Sequence, residues 1–223
     1  MIYLLTGKPR NGKSLHMASI IYNNVVIGRN VIANFEVNED ILYKSRFSKR
    51  FGKFIYEPNK YWLKSVYKNA TKRYSYIDGL INFAMQYHKR NDKGQIIEHQ
   101  TLLVIDECQE LFNARSWNRS DRLEWTSFFR QHGKLGYDVY LISQDDKVID
   151  KQIRAVIEYE MEHRRINNYK LFGKFLGFLC GGNLFVCISR WYGMRGDAAR
   201  INSEFFIGRK KYYNFYDSYK MFR

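Results

Sequence analysis

The chain has 223 residues, a hydrophobic content of 45% and a formal net charge of +15. These values suit one sizeable α/β domain, or a domain with an appendage, and favour an anionic partner such as nucleic acid or a membrane surface. The three cysteines are odd in number and lack the close paired spacing of a zinc motif, and a buried reduced thiol at Cys108 would indicate a reducing, cytosolic compartment. The longest apolar stretch, at residues 175–188, is too short and too interrupted by glycine to span a membrane, and we expect no signal peptide before the first predicted strand.

The first predicted strand, Ile2–Thr6, runs directly into a loop with the spacing of a Walker A motif, Gly-Lys-Pro-Arg-Asn-Gly-Lys-Ser. Its two glycines permit a close backbone approach, so that N–H groups converge on phosphate oxygens at the start of the following helix. Lys13 is expected to reach the β- and γ-phosphates, and the Ser14 hydroxyl to hold Mg²⁺. The residues predicted to bind ATP are Gly7, Pro9, Arg10, Asn11, Gly12, Lys13, Ser14 and Leu15.

A second strand is predicted at residues 30–35, and the region from about residue 43 to residue 100 looks like an insertion within a single domain of residues 1–223. We predict the insertion to be helical and to end in a turn at residues 91–94. Its first half interleaves basic and aromatic residues. Such a pattern can follow a single strand of nucleic acid with bases stacked on the rings, but it is more typical of a helix with buried aromatics and solvated lysines.

A continuous apolar run, Thr101–Ile105, is typical of a buried parallel strand and is followed by two acids. This is the form of a Walker B motif, and ligands of open α/β sheets bind at that edge. Asp106 is predicted to hold Mg²⁺ together with Ser14, and Glu107 to activate the attacking water as a general base.

The next strand, Tyr137–Ile142, ends in a polar segment that contains Gln144. At this edge a glutamine can sense the γ-phosphate or orient water, and the alternative is a simple strand-terminal turn. A helix is predicted from near Asp121, with Arg130 projecting from it and His132 packed against the apolar side. Further along, residues 148–157 have a mostly helical pattern, whereas residues 159–166 and 184–191 are strand candidates.

The order of these elements resembles the N-terminal ATPase domain of the zonular occludens toxin (Zot) family, the assembly ATPases of filamentous phages. The matching segments are residues 7–14, 104–109, 129–133, 137–144, 153–154 and 216–220. The resemblance is weakest over about residues 43–100 and near residues 180–183. It implies a RecA/ASCE-like P-loop NTPase fold: a mainly parallel central sheet flanked by helices, with a helical insertion and a C-terminal extension of strand and aromatic residues.

The resemblance also implies an activity and partners. Family members resemble the FtsK–HerA group of ring ATPases, in which the sensor strand lies between the P-loop strand and the Walker B strand. Hydrolysis of ATP with Mg²⁺ would drive export of single-stranded phage DNA through the host inner membrane while coat protein replaces packaging protein. A homo-oligomeric ring, such as a hexamer, is expected at the cytoplasmic face of that membrane. Members usually carry a transmembrane helix after this domain, and this chain alone is expected to be soluble.

Ring ATPases usually complete the site with an arginine from a neighbouring subunit. Arg130 fits the family segment best, Arg115, Arg119 and Arg154 are further candidates, and each is also compatible with an ordinary surface arginine. The aromatic and basic tail, residues 205–223, can pack on the domain, bind nucleic acid or precede an anchor.

Two other functions stay open at this point. One is a DNA-translocating FtsK–HerA-like motor without a phage role, and the other is a nucleotide-dependent binding module for coat protein or membrane with little hydrolysis. A small-molecule kinase is disfavoured, because acceptor-site signals are absent and the positive charge is large.

Overall fold

The computed structural model describes residues 1–43, 51–59, 76–115, 121–166, 183–194 and 196–216. Within these ranges, eight strands form one mixed sheet in the order β3-β2-β4-β5-β1-β6-β7-β8. The strands are β1 Ile2–Thr6, β2 Asn30–Ala33, β3 Phe54–Tyr56, β4 Thr101–Ile105, β5 Tyr137–Ile142, β6 Tyr159–Arg165, β7 Leu184–Trp191 and β8 Arg200–Ile207. The described helices are α1 Lys13–Val26, α2 Glu39–Tyr43, α3 Tyr76–Tyr87, α4 Arg122–Gln131, α5 Lys151–Arg154 and α6 Lys210–Phe215.

The first six strands in this order are parallel, and β7 and β8 continue the sheet as an antiparallel hairpin. The central strands are continuous apolar runs because helices cover both of their faces; all five residues of β4 are buried. Strand β5 lies between β1 and β4, which confirms the expected position of the sensor strand. The carboxyl ends of β1, β4, β5 and β6 therefore meet at one edge of the sheet.

Two hydrophobic clusters hold the helices on the sheet. On one face, α3 and α4 pack against alternate residues of the central strands, and Trp125 and Phe129 are fully buried there. On the other face, α1 buries Met17 and Ile21, and α6 adds Phe215 to the same cluster. The tail thus packs back on the domain at least as far as residue 216, which was one of the three alternatives.

The predicted helical insertion needs a correction. Residues 54–56 form a short parallel strand that pairs with β2, because the edge of β2 offers free backbone partners. A strand of three residues is too short to be predicted from its own sequence pattern. A helix is present at Tyr76–Tyr87, and residues 91–94 form the expected turn with a hydrogen bond from Gly94 N to Asn91 O of 2.9 Å. Residues 44–50 and 60–75, including most of the basic and aromatic pattern, lie outside the described ranges.

Other predictions can be compared directly. The strands at residues 159–166 and 184–191 are confirmed, whereas the helical pattern at 148–157 yields only the four-residue helix α5. His132 is buried, and its Nδ1 lies 2.6 Å from Phe129 O, as expected of a packed residue. Cys108 and Cys187 are buried free thiols. None of the described helices has both the length and the apolar character that crossing a bilayer would require.

Candidate nucleotide-binding site

The loop between β1 and α1 has the backbone of a phosphate-binding cradle. Gly7 and Gly12 have φ values of 133° and 92°, and Arg10 between them has φ 64°. A Cβ on Gly7 would lie 2.5 Å from His163 O, and one on Gly12 would lie 2.8 Å from the Phe185 ring. Larger residues therefore fit at neither position, and the loop is held tightly against β6 and β7.

Asn11 fastens the same loop to the sheet. Its Nδ2 donates a hydrogen bond to His163 O at 3.1 Å, so that the side chain is used for positioning rather than for filling the cavity. The backbone N–H groups at the start of α1 are consequently presented toward open space at the carboxyl edge of the sheet. A helix N-terminus in this setting favours an anion such as phosphate.

Lys13 lies across the loop that precedes it. Its Nζ donates to Gly7 O at 2.5 Å and to Lys8 O at 3.3 Å, and the residue is 9% exposed. Burial lowers the pKa of Lys13 from its ordinary value, and the nearby carboxylates of Asp106 and Glu107 act in the opposite direction. The ammonium group thus lies among the backbone oxygens of the loop, with both acids nearby.

Asp106 stands at the end of β4 and is 5% exposed. A reciprocal pair of hydrogen bonds with Asn34 fixes its backbone: Asp106 N donates to Asn34 Oδ1 at 2.8 Å, and Asn34 Nδ2 donates to Asp106 O at 2.9 Å. Its carboxylate accepts Glu107 N on Oδ1 and the Tyr216 hydroxyl on Oδ2, at 2.8 and 2.7 Å. Burial nevertheless raises the pKa of Asp106 to about 6.

Glu107 follows in a left-handed backbone conformation, with φ 47°. This turn sends its carboxylate toward the same open space, where Gln109 donates a hydrogen bond to Oε2. A carboxylate oriented by an amide in this way is suited to accept a proton from a water molecule.

These groups line one cavity of about 560 Å³, a volume within the usual range for a small-molecule site. From the predicted set it contains Pro9, Arg10, Gly12, Lys13, Ser14, Leu15, Asp106, Glu107 and Gln144. Gly7 and Asn11 line an adjoining cavity with Gln144. The predicted residues therefore come together at the carboxyl edge of the sheet, and their individual roles stay predictions.

Arg130 is not part of this cavity. It lies on the exposed side of α4 and lines a different depression with Leu123 and Gln152. Arg130 therefore lies away from the cavity of its own chain, and a role in the site of a neighbouring subunit stays a prediction beside that of an ordinary surface arginine. Arg119 lies outside the described ranges, and Arg154 is 3.9 Å from Asp146 Oδ2.

Several cavity residues were not found from the sequence. Arg165 at the end of β6 lines the cavity, as do the aromatic residues Tyr212, Tyr213 and Tyr216. Arg165 belongs to no recognisable sequence motif. It reaches this edge because β6 pairs in parallel with β1, and that pairing is visible only in the structure. Tyr216 lies in segment 216–220, which matches the family, but that match did not indicate what Tyr216 does.

The donor set suits a hard divalent cation. Ser14 offers a hydroxyl oxygen and Asp106 a carboxylate, and oxygen ligands are those that Mg²⁺ prefers. Among the described residues, Asp106 has hydrogen-bond donors but no salt bridge. A buried carboxylate of this kind, with a raised pKa, fits a site completed by a metal ion.

A glycine-rich loop between a parallel strand and a helix, with a lysine at the end of the loop and two acids after the strand that β5 separates from β1, defines the class of P-loop NTPases. Comparison with known proteins gives the family. The family model for Zonular occludens toxin (Zot) matches residues 1–181, and the chain belongs to this family.

Among individual proteins, the Gene 1 protein of Enterobacteria phage fd is 28% identical over 172 residues, which cover 76% of this chain and 44% of that protein. The Gene 1 protein of Salmonella phage IKe is 38% identical over 89 residues, 37% of this chain and 24% of that protein. The chain thus covers less than half the length of these curated relatives.

Two solved structures share the fold. The N-terminal domain of zonular occludens toxin from Neisseria meningitidis superposes with a TM-score of 0.54 at 19% identity, covering 97% of this chain and 98% of that chain. A structure described as an ATPase domain superposes with a TM-score of 0.52 at 11% identity, covering 96% and 83%. At these identities the similarity concerns the fold alone.

Proposed function

We propose that this chain is a Mg²⁺-dependent ATP hydrolase. The observation that carries the proposal is the convergence of the loop amides, Lys13 and both acids after β4 on one cavity. A cradle alone would serve binding, whereas a positioned carboxylate beside it also supplies the means to activate water.

Each side chain has a definite task in this reaction. The loop N–H groups and Lys13 bind the phosphates, and Ser14 and Asp106 would hold Mg²⁺, which would supply positive charge to offset that of the phosphate groups. Glu107 accepts the proton of the attacking water, and Gln109 keeps its carboxylate in place. Gln144, exposed at the end of β5, faces the same cavity and senses the γ-phosphate or orients water.

We assign the turnover to filamentous phage assembly and export of single-stranded DNA at the host inner membrane. The support is membership of the family and similarity to Gene 1 proteins of phages such as fd. A net charge of +15 is compatible with a polyanionic cargo. Phage coat proteins are the further partners in this proposal, and a ring of subunits is its expected assembly.

ATP turnover tests the proposal. Phosphate release by the wild type is measured with Mg²⁺ or EDTA, with and without single-stranded DNA, beside Lys13→Ala, Glu107→Gln and Lys8→Ala. Turnover should require Mg²⁺, rise with DNA, fall by about 10²-fold or more in Glu107→Gln and disappear in Lys13→Ala. Lys8→Ala is the matched control, because Lys8 lies in the same loop with an exposed side chain, and it should turn over like the wild type.

Other outcomes favour the rivals. Tight ATP binding without turnover, in an assembled ring as well as in single subunits, would support the nucleotide-dependent binding module. DNA-stimulated turnover with no binding to coat protein would support a translocase without a phage role. Undiminished hydrolysis by Glu107→Gln would remove Glu107 as the general base.

The role of Arg130 is tested by mixing subunits. Arg130→Ala should bind ATP normally, since Arg130 lies outside the cavity of its own chain, yet lose turnover. Mixing it with Glu107→Gln should restore part of the activity, because each variant can complete a site that the other cannot. Normal turnover by Arg130→Ala alone would make Arg130 an ordinary surface residue, and lost turnover without complementation would argue against a role in a neighbouring site.

A further inference from the structure

Three side chains with metal-binding atoms meet underneath the phosphate-binding loop. They are His16 on α1, His163 on β6 and Cys187 on β7, and their ligand atoms all lie within 4.8 Å of one another. All three are buried, at 8%, 0% and 1% exposure. The proposed chemistry of ATP hydrolysis uses none of them.

The two imidazole rings are already oriented toward each other. His16 Nδ1 and His163 Nε2 are 2.8 Å apart, and His163 Nδ1 is 2.8 Å from Met161 O. Because a carbonyl oxygen only accepts, Nδ1 of His163 carries the proton and Nε2 presents its lone pair to the cluster. A backbone carbonyl that holds the outer nitrogen of an imidazole is the usual support of a metal-binding histidine.

The third side chain completes a recognisable set. Two imidazoles and one thiolate are the ligands of zinc rather than of magnesium. An acid stands beside them: Glu204 on β8 pairs with Cys187 across the hairpin, and its negative charge acts on both His16 and Cys187. An exposed carboxylate at the rim can supply a fourth oxygen ligand or hold a water molecule there.

We propose that His16, His163 and Cys187 bind one Zn²⁺ ion, with the Glu204 carboxylate or a water in the fourth position. Zn²⁺ displaces the thiol proton of Cys187, which is released to solvent. The proton between the two rings moves to the other ring nitrogen of His16, so that one proton leaves for each ion bound and no oxidation state changes.

The site would be structural and would support the loop. Its ligands come from three separate elements, so an ion would join α1 to the outer part of the sheet. His163 O also accepts the hydrogen bond from Asn11 and lies against Gly7. Metal binding would therefore hold in place the part of β6 that contacts the phosphate-binding loop. The zinc site and the predicted Mg²⁺ site share no ligand.

Cobalt titration tests the site directly. The purified full chain is treated with EDTA, freed of nucleotide and titrated with Co²⁺, and a sulfur-to-cobalt charge-transfer band is followed. The wild type should take up one equivalent with this band, lose the band to one equivalent of Zn²⁺, and melt at a higher temperature with Zn²⁺ than without. Oxygen ligands of the Mg²⁺ site give no sulfur band, so the two sites are distinguished.

Variants assign the ligands. Cys187→Ala should lose the band, and His16→Gln, which keeps a donor for His163, should bind Co²⁺ at least tenfold more weakly. Glu204→Gln should weaken binding less and keep the band. Cys108→Ala is the matched control, as another buried free thiol, and should behave as the wild type.

The proposal would be overturned by a wild type that shows no sulfur band and retains no stoichiometric zinc, or by a band that survives in Cys187→Ala. The wild-type titration is decisive on its own if a variant fails to fold. Neither measurement involves ATP turnover, so failure of the hydrolase proposal would leave this one standing, and the reverse holds as well.

Discussion

Two buried aspartates at opposite ends of the central strands show how differently this fold treats the same side chain. Asp138, near the start of β5, has two cations against its carboxylate, Arg29 Nη2 at 2.5 Å and the N-terminal ammonium at 3.0 Å, and His99 Nδ1 lies within hydrogen-bond distance at 2.8 Å. Asp106, at the end of β4, is held by a tyrosine hydroxyl and a backbone N–H.

Their pKa values move in opposite directions. Burial alone would raise the pKa of Asp138, but hydrogen bonds from Arg29, His99 and the N-terminus hold it below its ordinary value. Burial dominates at Asp106 and raises its pKa to about 6. A carboxylate paired directly with cations is stabilised in its charged form, whereas Asp106, with neutral hydrogen-bond donors and only the more distant charge of Lys13, keeps its charge available for a metal ion.

The largest expected effect concerns activity. Asp106→Asn should reduce ATP turnover by about 10²-fold or more, because the amide removes the charge that would hold Mg²⁺. Asp138→Asn should leave turnover unchanged at temperatures where it is folded, since Asp138 lies at the far edge of the sheet. Phosphate release at saturating ATP and Mg²⁺ measures both, and equal losses in the two variants would abolish the distinction.

The next effect is on stability and depends on pH. Asp138→Asn should lower the free energy of unfolding at pH 7 by about 2 kcal/mol, because charged hydrogen bonds are lost and Arg29 keeps no anion. The folded pKa of Asp138 is lowered, so the loss should be constant above the unfolded pKa of about 4 and shrink as the pH falls further.

Denaturant titrations at several pH values measure this effect. Asp92→Asn, which alters an exposed carboxylate in the 91–94 turn, is the control and should change stability by less than about 0.5 kcal/mol. A loss that persists unchanged at pH 3 would contradict the ion-pair account of Asp138.

The reverse sign is expected at Asp106. Without metal or nucleotide, Asp106→Asn should stabilise the fold at pH 7 by about 1–2 kcal/mol, because it removes a buried charge that the nearby Lys13 offsets only in part. An amide can still pair with Glu107 N and the Tyr216 hydroxyl. Thermal unfolding in EDTA measures the gain, and a lower midpoint than the wild type would show that the charge of Asp106 is compensated after all.

The smallest effect concerns the residue that holds Asp106. Tyr216→Phe keeps the ring, which packs 4.5 Å from Phe35, and removes only the hydroxyl. We expect kcat to fall about tenfold, near the upper end of what one such hydrogen bond contributes, with little change in KM for ATP and a higher Mg²⁺ requirement. A rise in KM with kcat unchanged, or a similar loss in the exposed Tyr87→Phe, would argue against positioning.

The part of the site that was predictable is the part encoded locally. The phosphate-binding loop and the acids after β4 are contiguous motifs, and the apolar runs beside them specify parallel strands without tertiary information. Gln144 followed from the same reasoning, because the end of a parallel strand fixes the edge at which it appears.

The remainder depends on contacts between distant segments. Tyr216 reaches Asp106 across 110 positions of sequence, and Arg165 is brought in by strand pairing alone. The spacing of the cysteines along the chain gave no sign of a zinc site. The cluster that contains Cys187 could not be found from that spacing, because its three residues lie on separate elements. Strand β3 has three residues, and its conformation is determined by the edge of β2 rather than by its own composition.

The arm formed by α6 and Tyr216 has a mechanical consequence. Phe215 anchors it in the core through an edge-on contact with Tyr22, and Asn38 N donates to Phe215 O at 2.8 Å. One residue later a single hydroxyl touches the catalytic edge of the sheet. Tension on the chain at that point would reach the carboxylate of Asp106 within the length of one side chain, so under the proposed function a pull on this arm would act directly on the predicted Mg²⁺ ligand.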